Sequence, residues 1–142
     1  MHLRHKLSEY IQFLGGYSIM EDKPTVNIDM TNKIERLEVF EERSGVILNS
    51  LSAFFIDFQG WAGIDTNYLK VRGELQSQAN MTLQRDIELV VAVYDSSGRI
   101  IGTSSRTYLA NEFFGLETFD IEVSLPLIQV SKIRIYPKTL NS

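Results

Sequence analysis

The sequence contains no cysteine, which excludes structural disulfides, thiol catalysis, cysteine-ligated zinc and iron–sulfur clusters. Its only histidines are His2 and His5, both near the N-terminus. A histidine base held in a folded cleft, or a histidine-ligated metal, would have to use one of these two positions. We therefore expect a protein that is not an enzyme and carries no cofactor. An enzyme that uses carboxylates alone is the remaining catalytic alternative.

Long hydrophobic runs and an excess of positive charge are also missing. No stretch approaches the roughly 20 apolar residues of a membrane-spanning helix. The N-terminus lacks the apolar core of a secretory signal, because Ser8, Glu9 and Gln12 interrupt its apolar residues. The 14 Lys and Arg residues face 18 Asp and Glu residues, whereas proteins that bind nucleic acid usually carry a basic surplus. We expect a soluble, cytoplasmic protein that binds no nucleic acid, or an extracytoplasmic one if a leader has been removed.

The first residues form a helical pattern. Five apolar residues recur at steps of three and four: Leu3, Leu7, Tyr10, Ile11 and Leu14. This spacing predicts a short helix with one apolar face, and Gly15-Gly16 provides a stop signal. The sequence thus divides into an N-terminal helical arm, residues 1–17, and a single domain, residues 18–142. The arm either packs on the domain or on a second copy, or it binds a partner or a membrane surface.

After Pro24 the apolar period changes to two. Alternation is clearest in the second half, for example over Ile87–Tyr94, and Val46–Leu48 and Ala53–Phe58 also favour strands. The stretch Ile34–Phe40 fits a strand or a helical turn, and a polar turn is expected after it. Asp95 and Gly98 mark a tight hairpin, in which the glycine takes a positive φ. The fold class predicted is mainly β: an immunoglobulin-like antiparallel β-sandwich of about seven to eight strands with a short N-terminal α-helix.

Three segments resemble one family. Val91-Ala92-Val93-Tyr94-Asp95, followed by Gly98, resembles the Phe-x-Leu-Tyr-Asp signature of FxLYD-type domains. Upstream, Val71-Arg72-Gly73-Glu74-Leu75 is similar to the leading strand of that family, and the segment 115–121 is similar to its closing strand. The resemblance covers roughly residues 68–136. It implies an immunoglobulin-like sandwich, of a kind that is often extracytoplasmic and of unknown function, and it assigns no catalytic residues.

Two carboxylates are candidate metal ligands. Asp57 and Asp65 flank a seven-residue segment and could meet across a loop, where they would bind Ca²⁺ together with backbone carbonyls. They could also serve as an acid and a base, or be ordinary surface carboxylates. Glu41-Glu42 is expected to lie in a solvated turn.

Aromatic residues give the main functional lead. Trp61 lies between Gly60 and Gly63, and Phe113-Phe114 precedes Gly115, so these glycines favour loops at both places. Exposed aromatic rings on sandwich loops stack on sugars or anchor a protein partner; alternatively, these rings cover the ends of the core.

We therefore predict a non-catalytic protein-interaction or structural module that contacts a protein partner or a second copy, for example in a homodimer, through Trp61, Phe113 and Phe114. The alternative is a domain that binds a small ligand or carbohydrate, assisted by calcium at Asp57 and Asp65.

Overall fold

A computed structural model describes residues 26–57, 66–78, 82–126 and 129–140. The predicted N-terminal helix, Trp61 and Asp65 lie outside these residues. The elements in chain order are β1 (Val26–Asp29), β2 (Ile34–Arg36), α1 (Glu38–Ser44), β3 (Val46–Asp57), β4 (Thr66–Ser77), β5 (Ile87–Tyr94), β6 (Ile100–Tyr108), β7 (Leu116–Pro126) and β8 (Lys132–Thr139). Short 3-10 turns cover Thr31–Lys33 and Ala110–Glu112. None of the helices in the described part of the chain has the length and apolar character needed to cross a membrane.

The strands form two four-stranded sheets. Sheet A has the order β1-β3-β4-β7 and sheet B the order β2-β8-β5-β6, which confirms the prediction of a mainly β protein with two packed layers. The expectation of a wholly antiparallel sandwich is wrong at one place, because β2 pairs in parallel with β8. The chain crosses from sheet A to sheet B between β1 and β2, through the 3-10 turn Thr31–Lys33.

The core lies between the two sheets and follows the predicted alternation. Along β5, Ile87, Leu89, Val91 and Val93 are all at most 1% exposed. Alternate residues of β4 and β7 face them from sheet A: Leu69, Val71, Leu75, Phe119, Ile121, Val123 and Leu125. Because successive side chains of a strand point to opposite faces, the residues between them form the outer faces of the sandwich.

The hairpin that joins β5 to β6 confirms the turn predicted at Asp95 and Gly98. Asp95 Oδ1 accepts hydrogen bonds from the N–H groups of Ser97 and Arg99 and from the Ser97 hydroxyl. Gly98 has a φ of 85°, which a residue with a Cβ adopts only at a cost. The hydrogen bonds from the Arg99 backbone and the Ser97 side chain hold the pKa of Asp95 below its ordinary value.

The region between β2 and β3 differs from the prediction. The predicted polar turn is wrong, because residues 38–44 form a helix and Glu41 is only 3% exposed. Arg36 donates two hydrogen bonds to the Glu41 carboxylate, and the backbone N–H of Leu48 donates a third. These three donors stabilise the buried carboxylate.

The two strands predicted between Val46 and Phe58 form one long strand, β3, with a bulge. Its pairing with β4 shifts between Asn49 and Ser52. At the bulge, Ser50 adopts a positive φ of 55°. The irregularity interrupts the alternation of side chains, which explains why the sequence reads as two strands.

Candidate functional site

The two adjacent phenylalanines before β7 occupy opposite environments. Phe113 is 1% exposed, and its ring meets the Tyr108 ring edge to face, with centroids 6.4 Å apart. Phe114 is 77% exposed. Phe113 therefore belongs to the core, as in the alternative interpretation of the aromatic rings, whereas Phe114 exposes its ring to solvent.

Asp57, a predicted metal ligand that the structure describes, lies far from Phe114. It ends β3 at one end of sheet A. The turn that carries Phe114 is at the other end of the same sheet, since Gln76 near the end of β4 pairs with Leu116. The 12 residues of β4 separate these ends by roughly 36 Å. Trp61 and Asp65 lie outside the described residues.

Asp57 lies at the end of β3 and is half-buried. Within residues 26–57, 66–78, 82–126 and 129–140, no group of three or more acidic or histidine side chains is arranged to hold a metal ion. The predicted calcium ligand Asp65 lies outside those ranges, so the carboxylate pair stays a prediction.

A row of side chains across the outer face of sheet A ends beside Phe114. Ile47 on β3, Gln76 on β4 and Leu116 on β7 pair in register, and all three are exposed. Ile47 is 37% and Leu116 is 52% exposed, and their strands are two spacings, about 10 Å, apart. We call Ile47, Phe114 and Leu116 the end patch.

The end patch is large for three residues. If a phenylalanine side chain presents roughly 200 Å² and an aliphatic one somewhat less, the exposed fractions amount to about 300 Å² of apolar surface. Patches of this size are at the lower end of the largest found on monomeric proteins, and such patches are often functional.

The middle of the outer face of sheet A carries ion pairs, and beyond them Phe54, Ile56 and Tyr68 lie half-buried on the same face. In successive rows along the sheet, Arg72 pairs with Asp120 at 3.1 Å and Lys70 with Glu122 at 3.3 Å. These exposed pairs contribute little to stability, but they keep this part of the surface hydrated. The ion pairs therefore separate the end patch, at the start of β3 and β7, from the apolar side chains at the other end of this face.

Two carboxylates are near the end patch in the chain or in the strand register. Glu112 precedes Phe114 by two residues, and Glu74 lies on the outer face of β4, two residues before Gln76. Salt bridges between described residues include neither glutamate. Their negative charge favours a partner that is basic as well as apolar.

An open depression lies beside the bulge of β3. Its volume is about 500 Å³. Its lining residues are Ser50, Arg72, Gly73, Glu74, Arg106, Thr118, Phe119 and Asp120. Arg106 Nη2 donates to the backbone oxygen of Asp120 at 3.3 Å, and the Asp120 carboxylate already pairs with Arg72.

The depression offers little for chemistry or for a small ligand. Small-molecule sites are mostly apolar and enclosing, with a few convergent polar groups, whereas this one is open and largely charged. Its hydroxyls, on Ser50 and Thr118, have no histidine beside them, because the described residues contain none. The end patch is therefore the better candidate for a functional surface.

Sequence reasoning missed Ile47 and Leu116, although each leaves a signal. Leu116 shares its strand face with Thr118, Asp120 and Glu122, so it is the apolar member of an otherwise polar set. Ile47 lies between two buried residues in a run that is apolar throughout, which hides its outward orientation. The alternation along β7 could have identified Leu116, but its proximity to Ile47 depends on the strand register.

Comparison of the chain with models of protein families, with curated proteins and with solved structures finds no match.

Proposed function

We propose that this protein is a non-catalytic interaction module that binds a protein partner through the end patch. The observation that carries the proposal is the exposure of Phe114, at 77%, two residues before exposed Leu116, which is in register with exposed Ile47. Aromatic residues in apolar patches are frequent anchors of protein interfaces. Burial of these side chains against a partner would remove the apolar surface from water, which is the main favourable term in association.

We also propose that the scaffold is an immunoglobulin-like sandwich of the FxLYD type. The path of the chain supports this, because β7 returns to lie beside β4 and β8 returns to lie beside β5, as in the Greek-key connections of immunoglobulin-like sandwiches. The segment that resembles the family signature forms β5 and its turn, Ile87–Gly98. In such a scaffold the rigid sheets position the end loops for binding, and the sheets themselves need no chemistry.

A site-specific crosslinking experiment tests the binding surface. A photoreactive benzoyl-phenylalanine replaces Phe114 in the full chain, in the cells that make the protein. The matched control places the same group at Ile100, which is 58% exposed but lies at the opposite end of the sandwich.

We expect a discrete protein adduct from position 114 that is absent from position 100 and is lost when Leu116→Ser is added. The same set of adducts from both positions, or none from position 114, would refute the proposed surface.

A further inference from the structure

We propose that the free edge of β6 pairs with β6 of a second copy of this chain, antiparallel and about a twofold axis at Ser105. The two B sheets, each of four strands, would then join into one continuous sheet. This inference goes beyond the proposed function, because β6 is the edge of sheet B, whereas the strands of the end patch belong to sheet A.

The four edge strands in the described part of the chain are unequally protected. β1 and β2 have only four and three residues. The edge of β7 faces β6: the backbone oxygen of Asp120 accepts a hydrogen bond from Arg106, and a Cβ at Gly102 would lie 3.0 Å from the backbone oxygen of Ser124. This leaves β6, with nine residues, as the long edge open to a further strand.

The hydrogen bonds of β5 show which of its residues bond to β6. The backbone oxygens of Asp86 and Tyr94 accept hydrogen bonds from the N–H groups of Leu140 and Ser131, which flank β8. Because the backbone groups of a central strand point alternately to its two neighbours, the even-numbered residues of β5 bond toward β8. The odd-numbered residues, from 87 to 93, therefore bond toward β6.

The strand register carries this alternation into β6. The odd-numbered residues of β5 pair with the even-numbered residues of β6, from Gly102 to Tyr108. The N–H and C=O groups of Thr103, Ser105 and Thr107 therefore point away from β5. Backbone hydrogen bonds between described residues outside the strand ladders include none of these groups. All three side chains are exposed, so another strand can reach this edge.

The order of these three residues favours a second copy as the partner. In an antiparallel pair centred on Ser105, Ser105 faces its own equivalent and Thr103 faces Thr107, so every outward N–H and C=O group bonds across the interface. Any other register pairs fewer of the three residues with one another. Arg106, the only charged residue of β6, faces Ser104 of the second copy, so like charges are not directly opposed. The edge is thus complementary to itself, as a twofold interface requires.

Cysteine trapping tests the pairing, because the chain has no cysteine of its own. Pairing along one strand is smaller than the roughly 1,200 Å² interface of a stable dimer, so we expect weak association that a disulfide can accumulate. The full-length variants Ser105→Cys, Thr103→Cys and Thr107→Cys are oxidised singly, and the last two also as an equimolar mixture. Ser96→Cys, in the exposed turn between β5 and β6, is the matched control for random collision. Thermal unfolding shows that every variant is folded.

We expect Ser105→Cys to form a covalent dimer about tenfold faster than Ser96→Cys, because pairing holds the two thiols at a high effective concentration. Their Cα atoms would be about 5.5 Å apart, which a disulfide can bridge. Thr103→Cys and Thr107→Cys should each stay near the control rate alone and form the mixed dimer together. Equal rates for Ser105→Cys and Ser96→Cys overturn the inference. So does rapid dimerisation of Thr103→Cys alone, because the register would then be different.

Ser105→Pro, added to both members of the mixture, separates strand pairing from mere proximity. Proline is tolerated where the N–H of an edge strand faces solvent, and the Ser105 N–H takes no part in the ladder with β5. The substitution removes a donor to the second copy, so formation of the mixed dimer should fall to the control rate. Unchanged trapping would show contact without strand pairing and overturns the inference. None of these outcomes bears on the proposed function, which the adduct from position 114 tests separately.

Discussion

Glu41 is the side chain whose substitution tests the contact between the two sheets most directly. It is 3% exposed on α1 and joins elements of both sheets. Its Oε1 lies 2.6 Å from Nη2 of Arg36, the last residue of β2 in sheet B, and 3.1 Å from the backbone N of Leu48 on β3 of sheet A. A second bond, from Arg36 Nε to Oε2 at 3.1 Å, makes the ion pair bidentate.

We expect Glu41→Ala to destabilise the fold by about 3 kcal/mol. Removal of one partner from a buried ion pair costs roughly 3–5 kcal/mol, and an unsatisfied buried N–H adds about 1–3 kcal/mol. We place the expected loss of stability at the lower end of this range because the Arg36 side chain is 37% exposed. Water can therefore solvate its guanidinium once the carboxylate is gone. Glu41→Gln retains an acceptor for the Leu48 N–H and should have a smaller effect.

Equilibrium unfolding in urea measures this difference, with Glu42→Ala as the matched control. Glu42 is the exposed neighbour on the same helix, and its loss should change the free energy of unfolding by no more than about 0.5 kcal/mol. If Glu41→Ala costs less than about 1 kcal/mol, or no more than Glu42→Ala, the Glu41 carboxylate does not link the sheets as the structure indicates.

Three further substitutions test other contacts by the same unfolding measurement. Gly73→Ala should lower the free energy of unfolding by about 1–3 kcal/mol. The new Cβ would lie 3.0 Å from the Asn49 backbone oxygen and closer still to the side chains of Leu51 and Phe119. An unchanged stability would show that the bulge of β3 adapts freely. Asp95→Ala should destabilise the protein near neutral pH. The difference in unfolding free energy from the wild type should shrink as the pH falls below 3.8, the ordinary pKa of an aspartate, because a carboxylate whose pKa is lowered by folding gives stability that acid removes. A difference that does not depend on pH would contradict this. Tyr108→Phe should be neutral or stabilising by up to about 1 kcal/mol, because the buried hydroxyl has no hydrogen-bond partner among the described residues; a loss of stability would indicate that the hydroxyl is satisfied.

The features that the sequence predicts correctly depend on local patterns. Alternation along β4, β5 and β7 separates buried from exposed positions because each strand has one face in the core. The β5–β6 hairpin is equally local, since Asp95 and Gly98 form the turn without help from distant residues. The bulge of β3 is not predictable in this way, because it depends on the partner strand.

The elements missed between β1 and β3 depend on distant contacts. The parallel pairing of β2 with β8 brings Glu35 to Arg134, 99 positions later in the chain, and no local pattern indicates that partnership. Helix α1 has no side-chain cap at its first residue and is too short to be stable alone. Its Phe40 ring lies 5.5 Å from that of Tyr136 on β8, so packing against sheet B stabilises the helix.

The pair Phe113 and Phe114 shows why the candidate surface could not be identified from the sequence alone. The two residues also give a test in which each is the control for the other. The sequence treats the two identical neighbours alike, yet Phe113 is 1% exposed and Phe114 is 77% exposed. Phe113→Ala should destabilise the fold by about 3–5 kcal/mol, because it leaves a cavity beside Tyr108. Phe114→Ala should change the free energy of unfolding by no more than about 0.5 kcal/mol.

Association should show the opposite order. Phe114→Ala should weaken binding at the end patch while the protein stays fully folded, since an exposed aromatic anchor contributes to the complex and little to the free monomer. Phe113→Ala, studied where it is still folded, should affect binding less. If both substitutions reduce stability equally, or if Phe114→Ala leaves association unchanged, the exposed ring is not the anchor of an interaction surface.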